Sequence, residues 1–282
     1  MPEKPLRVRR HDRGLAVCDP DGAWHPFPEG ATLDGLLAAG RDALWRAARE
    51  AAEAGAEVSA PEACAPVESQ EVWAAGVTYE RSLDARVAES DGADRFYARI
   101  YDAERPELFF KSAGWRVSGP GTPIGIRADA AWNVPEPELA VVLDVAGDIA
   151  GYTIGNDVSS RDIEAANPLY LPQAKLFEGC CALGPDIVLS EDLGAAEIRL
   201  EIQRAGTVIV DERVSVATLR RRPADLAAWL YRAVRFPVGA VLLTGTGIVP
   251  DDAFTLSPDD VVSISIDDIG VLSNPVMQVG TP

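Results

Sequence analysis

Between Pro135 and Asp157 the chain writes two short β-rich runs around a single turn, and the remainder has to fit around that turn. Pro135-Glu136-Pro137-Glu138 leads into the apolar run 139–143, a turn over 144–148, and a second run, 149–154, that ends in Gly155-Asn156-Asp157. Both runs are rich in β-branched residues and Gly147 separates them, which predicts two antiparallel strands joined by a hairpin. Glu136 and Glu138 are two apart on a strand and share a face. A two-residue loop of Ala146-Gly147 puts Asp157 opposite Glu136; a Gly147-Asp148 loop puts it opposite Glu138. With either loop three carboxylates meet on one face, because directly opposed side chains lie about 4.5–5.5 Å apart. Like charges that close need protonation or a bridging cation. The hairpin therefore predicts a metal site at Glu136, Glu138 and Asp157.

What the chain lacks narrows the metal. Its two histidines, His11 and His25, lie near the N-terminus, and its four cysteines have no Cys-x-x-Cys spacing. A zinc site of nitrogen and sulfur ligands is not expected. Three oxygen ligands with water completing the shell suit Mg²⁺ or Mn²⁺, with Ca²⁺ a further candidate.

A net charge of −18 argues against nucleic acid or an anionic membrane as partner, and it leaves a carboxylate substrate dependent on local positive charge. No apolar run is long enough to span a membrane, the first residues carry no signal-peptide pattern, and the cysteine usage implies a reducing compartment. The expected location is the cytoplasm. Only three of the 26 basic residues are lysines, namely Lys4, Lys111 and Lys175. Arginine keeps its proton in a protein, whereas a buried lysine amine can be tuned into a base. Lys111 and Lys175, both outside polar runs, are thus candidate functional residues.

Residues 1–31 alternate apolar runs with Asp-Pro and Asp-Gly turns, predicting a small antiparallel sheet. Residues 33–57 carry a helical stripe, with Thr32 as N-cap and Gly55 as stop. A Pro- and Ala-rich linker then places a small N-terminal α/β domain at 1–68 and a catalytic domain at 69–282. In the latter, strands are expected at 72–77, 197–204, 207–214, 240–244, 260–266 and 271–279. Helices are expected at 79–90, 158–166 and 224–236, the last begun by Pro223. Residues 95–107 read as a mobile segment near a site. Many strands, few helices and no βαβ rhythm predict an α+β, mostly β chain built on a mixed, largely antiparallel roll.

Several motifs carry a resemblance. Gly76-Val-Thr-Tyr79, Leu108-Phe-Phe-Lys111, Glu136-Pro-Glu138, Gly151-Tyr-Thr-Ile-Gly-Asn-Asp157, Ser160-Arg-Asp162, Lys175 and Leu243-Thr-Gly-Thr246 resemble the fumarylacetoacetate hydrolase superfamily, in order, over about 72–279. The resemblance implies a β-roll core, a homodimer, and Mg²⁺ or Mn²⁺ on Glu136, Glu138 and Asp157, the trio that the hairpin reaches independently. Members act on 2-oxo acids that chelate the metal, which works as a Lewis acid. By position Arg161, Lys175 and Thr246 correspond to residues lining the substrate site.

Two departures stand out, the first most. The carbon–carbon hydrolases of the family keep a histidine base where this chain has Ser82, and a glutamine where it has Glu164. The chain resembles more closely the family's 2-keto-3-deoxy-sugar-acid dehydratases, through Tyr79-Glu-Arg-Ser82, the segment 101–107, Asn133-Val-Pro-Glu-Pro-Glu138 and Asn167-Pro-Leu-Tyr-Leu-Pro-Gln173. This implies a metal-dependent hydro-lyase converting an acid such as 2-keto-3-deoxy-D-arabinonate to 2,5-dioxopentanoate. A hydrolase of acylpyruvates, or a decarboxylase or isomerase of 2-oxo diacids, is the alternative. In the dehydratase reading Lys175 takes a C3 proton, Glu107 (or, second, Glu164) protonates the departing C4 hydroxyl, and Ser82, Lys111, Arg161 and Thr246 bind substrate.

Overall fold

The small antiparallel sheet expected at the N-terminus forms, and it does not stand alone. The computed structural model describes residues 4–79, 103–251 and 253–281. Strands β1 (Arg7–His11), β2 (Gly14–Cys18) and β3 (Trp24–Pro26) pair in antiparallel order. Thr32 accepts the backbone N–H of Gly35 and starts α1 (Leu33–Ala38). Gly40, at φ +99°, then splits the expected single helix, and α2 (Arg41–Glu53) follows.

The strands that follow are β4 (Glu71–Gly76), β5 (Glu107–Ala113), β6 (Ile124–Arg127), β7 (Asn133–Val134), β8 (Pro137–Leu143), β9 (Ile149–Asp157), β10 (Ser159–Ser160), β11 (Cys181–Val188), β12 (Glu197–Arg204), β13 (Thr207–Ser215), β14 (Ala240–Leu243), β15 (Val261–Ile266) and β16 (Gly270–Val279). Between them lie α3 (Arg161–Ala166), α4 (Leu171–Lys175) and α5 (Pro223–Leu230). A nine-stranded sheet runs β3-β2-β1-β11-β9-β8-β14-β4-β5, and a five-stranded sheet runs β13-β12-β15-β16-β6. Residue 80 to residue 102, which hold Ser82 and most of the predicted helix and mobile segment, lie outside the described residues. Helix α5 stops short of 236: at its C-cap Tyr231 instead donates its hydroxyl to the Asp144 carbonyl at 2.7 Å.

The nine-stranded sheet is covered on both faces. Leu139, Val141 and Leu143 of β8 join a core with Ile198, Leu200, Val262 and Ile264 of the five-stranded sheet. Ala140 and Val142 join a second core with Leu33, Leu37 and Leu44 of the helices. Burial on both sides explains why 139–143 is continuously apolar rather than alternating. Each such Leu or Val contributes about 1.5–3 kcal/mol, so packing fixes the position of β8 more firmly than its turn could.

The hairpin register is that of the first loop considered above, reached by a different turn. Pro137 pairs with Asn156 and Glu138 with Gly155, but Leu143 pairs with Ile149, and the shift between Val142 and Leu143 leaves Ala150 as a bulge. Buried Asp144 closes the loop, accepting the backbone N–H groups of Ala146 and Asp148 at 2.8 and 3.0 Å. It also accepts the N–H of Arg41, at the start of α2, at 2.7 Å. Trp45 of α2 donates its indole N–H to the Ala150 carbonyl at 2.7 Å.

The boundary expected at residue 68 falls within one sheet and one core. β1 pairs with β11 through Arg7↔Val188 and Val8↔Ile187. Arg9 grips the fully buried Asp186 of β11 with two bonds of 2.6 and 3.0 Å. Residues 4–68 are the outer strands and helical layer of the sheet that carries the carboxylates.

Candidate active site

Glu136, Glu138 and Asp157 are all buried, and each offers a carboxylate oxygen within 4.8 Å of those of the other two. Strand pairing brings them there: the Asp157 N–H bonds the Glu136 carbonyl at 3.0 Å, and Glu138 sits opposite Gly155, two residues from Asp157 on the same face. β4 and β14 run parallel to each other, with β14 antiparallel to β8, so the C-terminal ends of both strands emerge beside Glu138. The loops that continue them are tied together by the Thr78 hydroxyl, which donates to the Thr244 carbonyl at 2.7 Å. Gly245, at φ +93°, packs against that hydroxyl and turns its N–H onto the carboxylate of Glu138. A Cβ at 245 would lie 2.0 Å from the Thr78 oxygen.

Three cations answer the three acids unequally. The Lys175 amine donates to Glu136 at 2.7 Å, to Asp157 at 3.1 Å and to the Ser159 hydroxyl at 2.6 Å. Arg161 donates to the other oxygen of Glu136 at 3.0 Å. Lys111 pairs with the second oxygen of Asp157 and donates to the carbonyls of Val158 and Lys175 at 3.0 and 2.6 Å. Among the described residues Glu138 meets the Gly245 N–H and no cation. Burial, and then the charges of Asp157 and Glu136, push its carboxyl well above the usual range. Burial and Glu138 likewise hold the buried Tyr79 phenol protonated. Three hard oxygen donors, one of them with no ion-pair contact among the described residues, are a donor set that fits a divalent oxygen-loving ion.

The cavity over the trio is lined by Lys175, Arg161 and Thr246, together with Gly76, Val77 and Phe109. Val77, a β-branched residue at φ +53°, holds a strained backbone at this mouth. The Phe109 ring centre lies 5.6 Å from the Lys175 amine. Glu107 is half-buried at the start of β5, opposite Gly76, and its carboxylate lies over that glycine. Glu164 is buried one turn after Arg161 on α3. Lys111, expected to touch substrate, is instead fully buried behind Asp157, its amine bonded to protein atoms, and it does not line the cavity. Ser159 was missed, although it stands two residues beyond Asp157 along an extended chain. His25 bonds Asp19 and the Ala56 carbonyl, far along the chain from the trio.

Comparison with known proteins gives the family and its relatives. The family model for the fumarylacetoacetate (FAA) hydrolase C-terminal domain matches residues 71–277. A probable 2-keto-3-deoxyxylonate dehydratase of Haloferax volcanii is 47% identical over 220 residues, 77% of this chain and 75% of the relative. A 2-dehydro-3-deoxy-D-arabinonate dehydratase of Saccharolobus solfataricus is 44% identical over 218 residues, 75% of this chain and 73% of the relative. A solved structure of 2-keto-3-deoxy-D-arabinonate dehydratase, complexed with magnesium and 2,5-dioxopentanoate, superposes with a TM-score of 0.82 at 33% identity, covering 97% of this chain and 99% of that one.

Proposed function

We propose, from the premise that this chain belongs to the fumarylacetoacetate hydrolase family, that it is a Mg²⁺-dependent hydro-lyase which dehydrates a 2-keto-3-deoxy sugar acid to 2,5-dioxopentanoate. The observation that carries the reading is the convergence of three buried carboxylates with one lysine amine, in a site without a histidine among the described residues. A carbon–carbon hydrolase of this family uses a histidine base for water, and no histidine among the described residues takes that place.

Glu136, Glu138 and Asp157 hold the ion. When bound, Mg²⁺ supplies Lewis-acid polarisation of the substrate's keto group, which acidifies the C3 protons. Lys175, at the edge of the trio, takes a C3 proton, and Glu107 gives a proton to the leaving C4 hydroxyl; Glu164 is the second candidate for that acid. Water departs and leaves a C3=C4 double bond; a proton moves from C5 to C3 to give the C4=C5 enol, which loses its hydroxyl proton and gains one at C4 to become the aldehyde. The half-buried position of Glu107 over Gly76, a residue that lines the cavity, supports the assignment. Arg161 and Thr246 orient the carboxylate end, and Ser82 binds a sugar hydroxyl. General acid and base of this kind contribute about 10²–10⁴-fold each.

The same reading makes the chain a cytoplasmic homodimer acting on a small molecule. Support comes from four free cysteines and from the family resemblance; among the described residues no helix is long and apolar enough to cross a membrane. The test is one incubation of Mg²⁺-loaded protein with 2-keto-3-deoxy-pentonates, acylpyruvates and oxaloacetate. Semialdehyde formation from the pentonates is the expected result. Release of pyruvate from acylpyruvates, with the pentonates untouched, would overturn the assignment.

A further inference from the structure

Resting on the reading of Lys175 as the C3 base, we infer that Ser159 is the positioning residue that aims its amine. Around the Lys175 amine stand two carboxylates that the metal claims, Glu136 and Asp157, and a third acceptor. The third, the Ser159 hydroxyl at 2.6 Å, is neutral and lies outside the ligand trio. Its own proton is committed, donated to the Asp157 carbonyl at 2.9 Å. Toward the lysine Ser159 therefore offers only lone pairs, so ammonium and amine alike keep one N–H on it.

The rest of Lys175 is already fixed. Lys111 holds its carbonyl at 2.6 Å and the Val158 carbonyl at 3.0 Å, which ties the end of α4 to the end of β9. Beyond that backbone tie lies the four-bond side chain, and a lysine side chain carries about 2 kcal/mol of rotamer entropy. Ser159 is fully buried and reaches the tip of that side chain. A misplacement of about 1 Å in such a group costs on the order of 10²-fold in rate.

Two variants separate aiming from filling. Ser159→Ala removes the oxygen; Ser159→Cys restores the bulk with a poor acceptor. Each is assayed for turnover, for Mg²⁺ binding by calorimetry, and for C3 proton exchange into D₂O of a 2-oxo acid with no 4-hydroxyl. That exchange needs the base and the metal but no dehydration, so it reads the positioning role even where the dehydratase assignment fails. The expected result is a fall of 10- to 100-fold in kcat and in exchange for both variants, with KM and Mg²⁺ affinity within threefold of the parent. Recovery in Ser159→Cys would make Ser159 a space-filler and overturn the inference. So would full exchange in Ser159→Ala, or a loss explained by Mg²⁺ affinity alone.

Discussion

Glu107 and Gly76 face each other across β5 and β4, and a Cβ built on residue 76 would fall 2.1 Å from a carboxylate oxygen of Glu107. The glycine is there because the acid lies over it. Gly76→Ala should therefore push Glu107 aside while leaving the metal ligands in place. The expected outcome is a loss of about 10²-fold in kcat, the share of a general acid, with Mg²⁺ affinity unchanged by calorimetry. Equal losses in both would place the damage in the fold.

Glu138 ties metal binding to pH. Its raised pKa means that the metal-free fold keeps a proton there which the unfolded chain releases. That proton stabilises the metal-free protein, and the stability falls as pH rises from the ordinary carboxylate range through the raised value. A metal must displace the proton, so Mg²⁺ affinity should climb with pH over the same window. Calorimetry in buffers of different ionisation heat should register up to one proton released per ion; no dependence on buffer would contradict it.

Glu138→Gln separates binding from stability. Mg²⁺ affinity should drop by at least about 10²-fold, as loss of a ligand does more than loss of its supporting partner. The metal-free variant should melt no lower than the parent at neutral pH, because a neutral amide is buried without the proton uptake that Glu138 needs on folding. An unchanged metal titration would remove the proposed site.

Lys175→Met should retain its substrate-binding groups and lose at least about 10²-fold in kcat, the usual share of a general base. Its kcat, followed by semialdehyde formation, is the decisive reading. Full turnover would mean that another group takes the C3 proton.

Asp144→Ala tests the brace behind the hairpin. Three N–H donors lose a charged acceptor, including the one that starts α2. A destabilisation of about 3 kcal/mol is expected from bonds to a charged group, measured by denaturant unfolding. The trio should keep its metal wherever the protein remains folded.

The trio was legible because strand alternation is a rule with period two, and three acids at 136, 138 and 157 satisfied it. The turn was not, because a bulge at Ala150 compensates for a longer loop and returns the strands to the register of the shorter one. Lys111 was singled out by the scarcity of lysine, yet rarity cannot say whether an amine faces substrate or the back of Asp157. Ser159 carried no rarity at all; its hydroxyl matters through one distance to Lys175, on a separate helix. The boundary at 68 was drawn from a Pro-rich linker, and composition holds no trace of the pairing between β1 and β11.

That pairing sets where the protein can be cut. A shortened protein beginning at residue 69 would bare the hydrogen-bonding edge of β11 and strip the apolar cover from Ala140, Val142 and Leu243. Naked edges over greasy surfaces recruit other chains, so the excised piece should precipitate rather than survive as a minimal enzyme. The leading quarter of the polypeptide is thereby needed for the site to stand, although none of its described residues lines the cavity over the carboxylates.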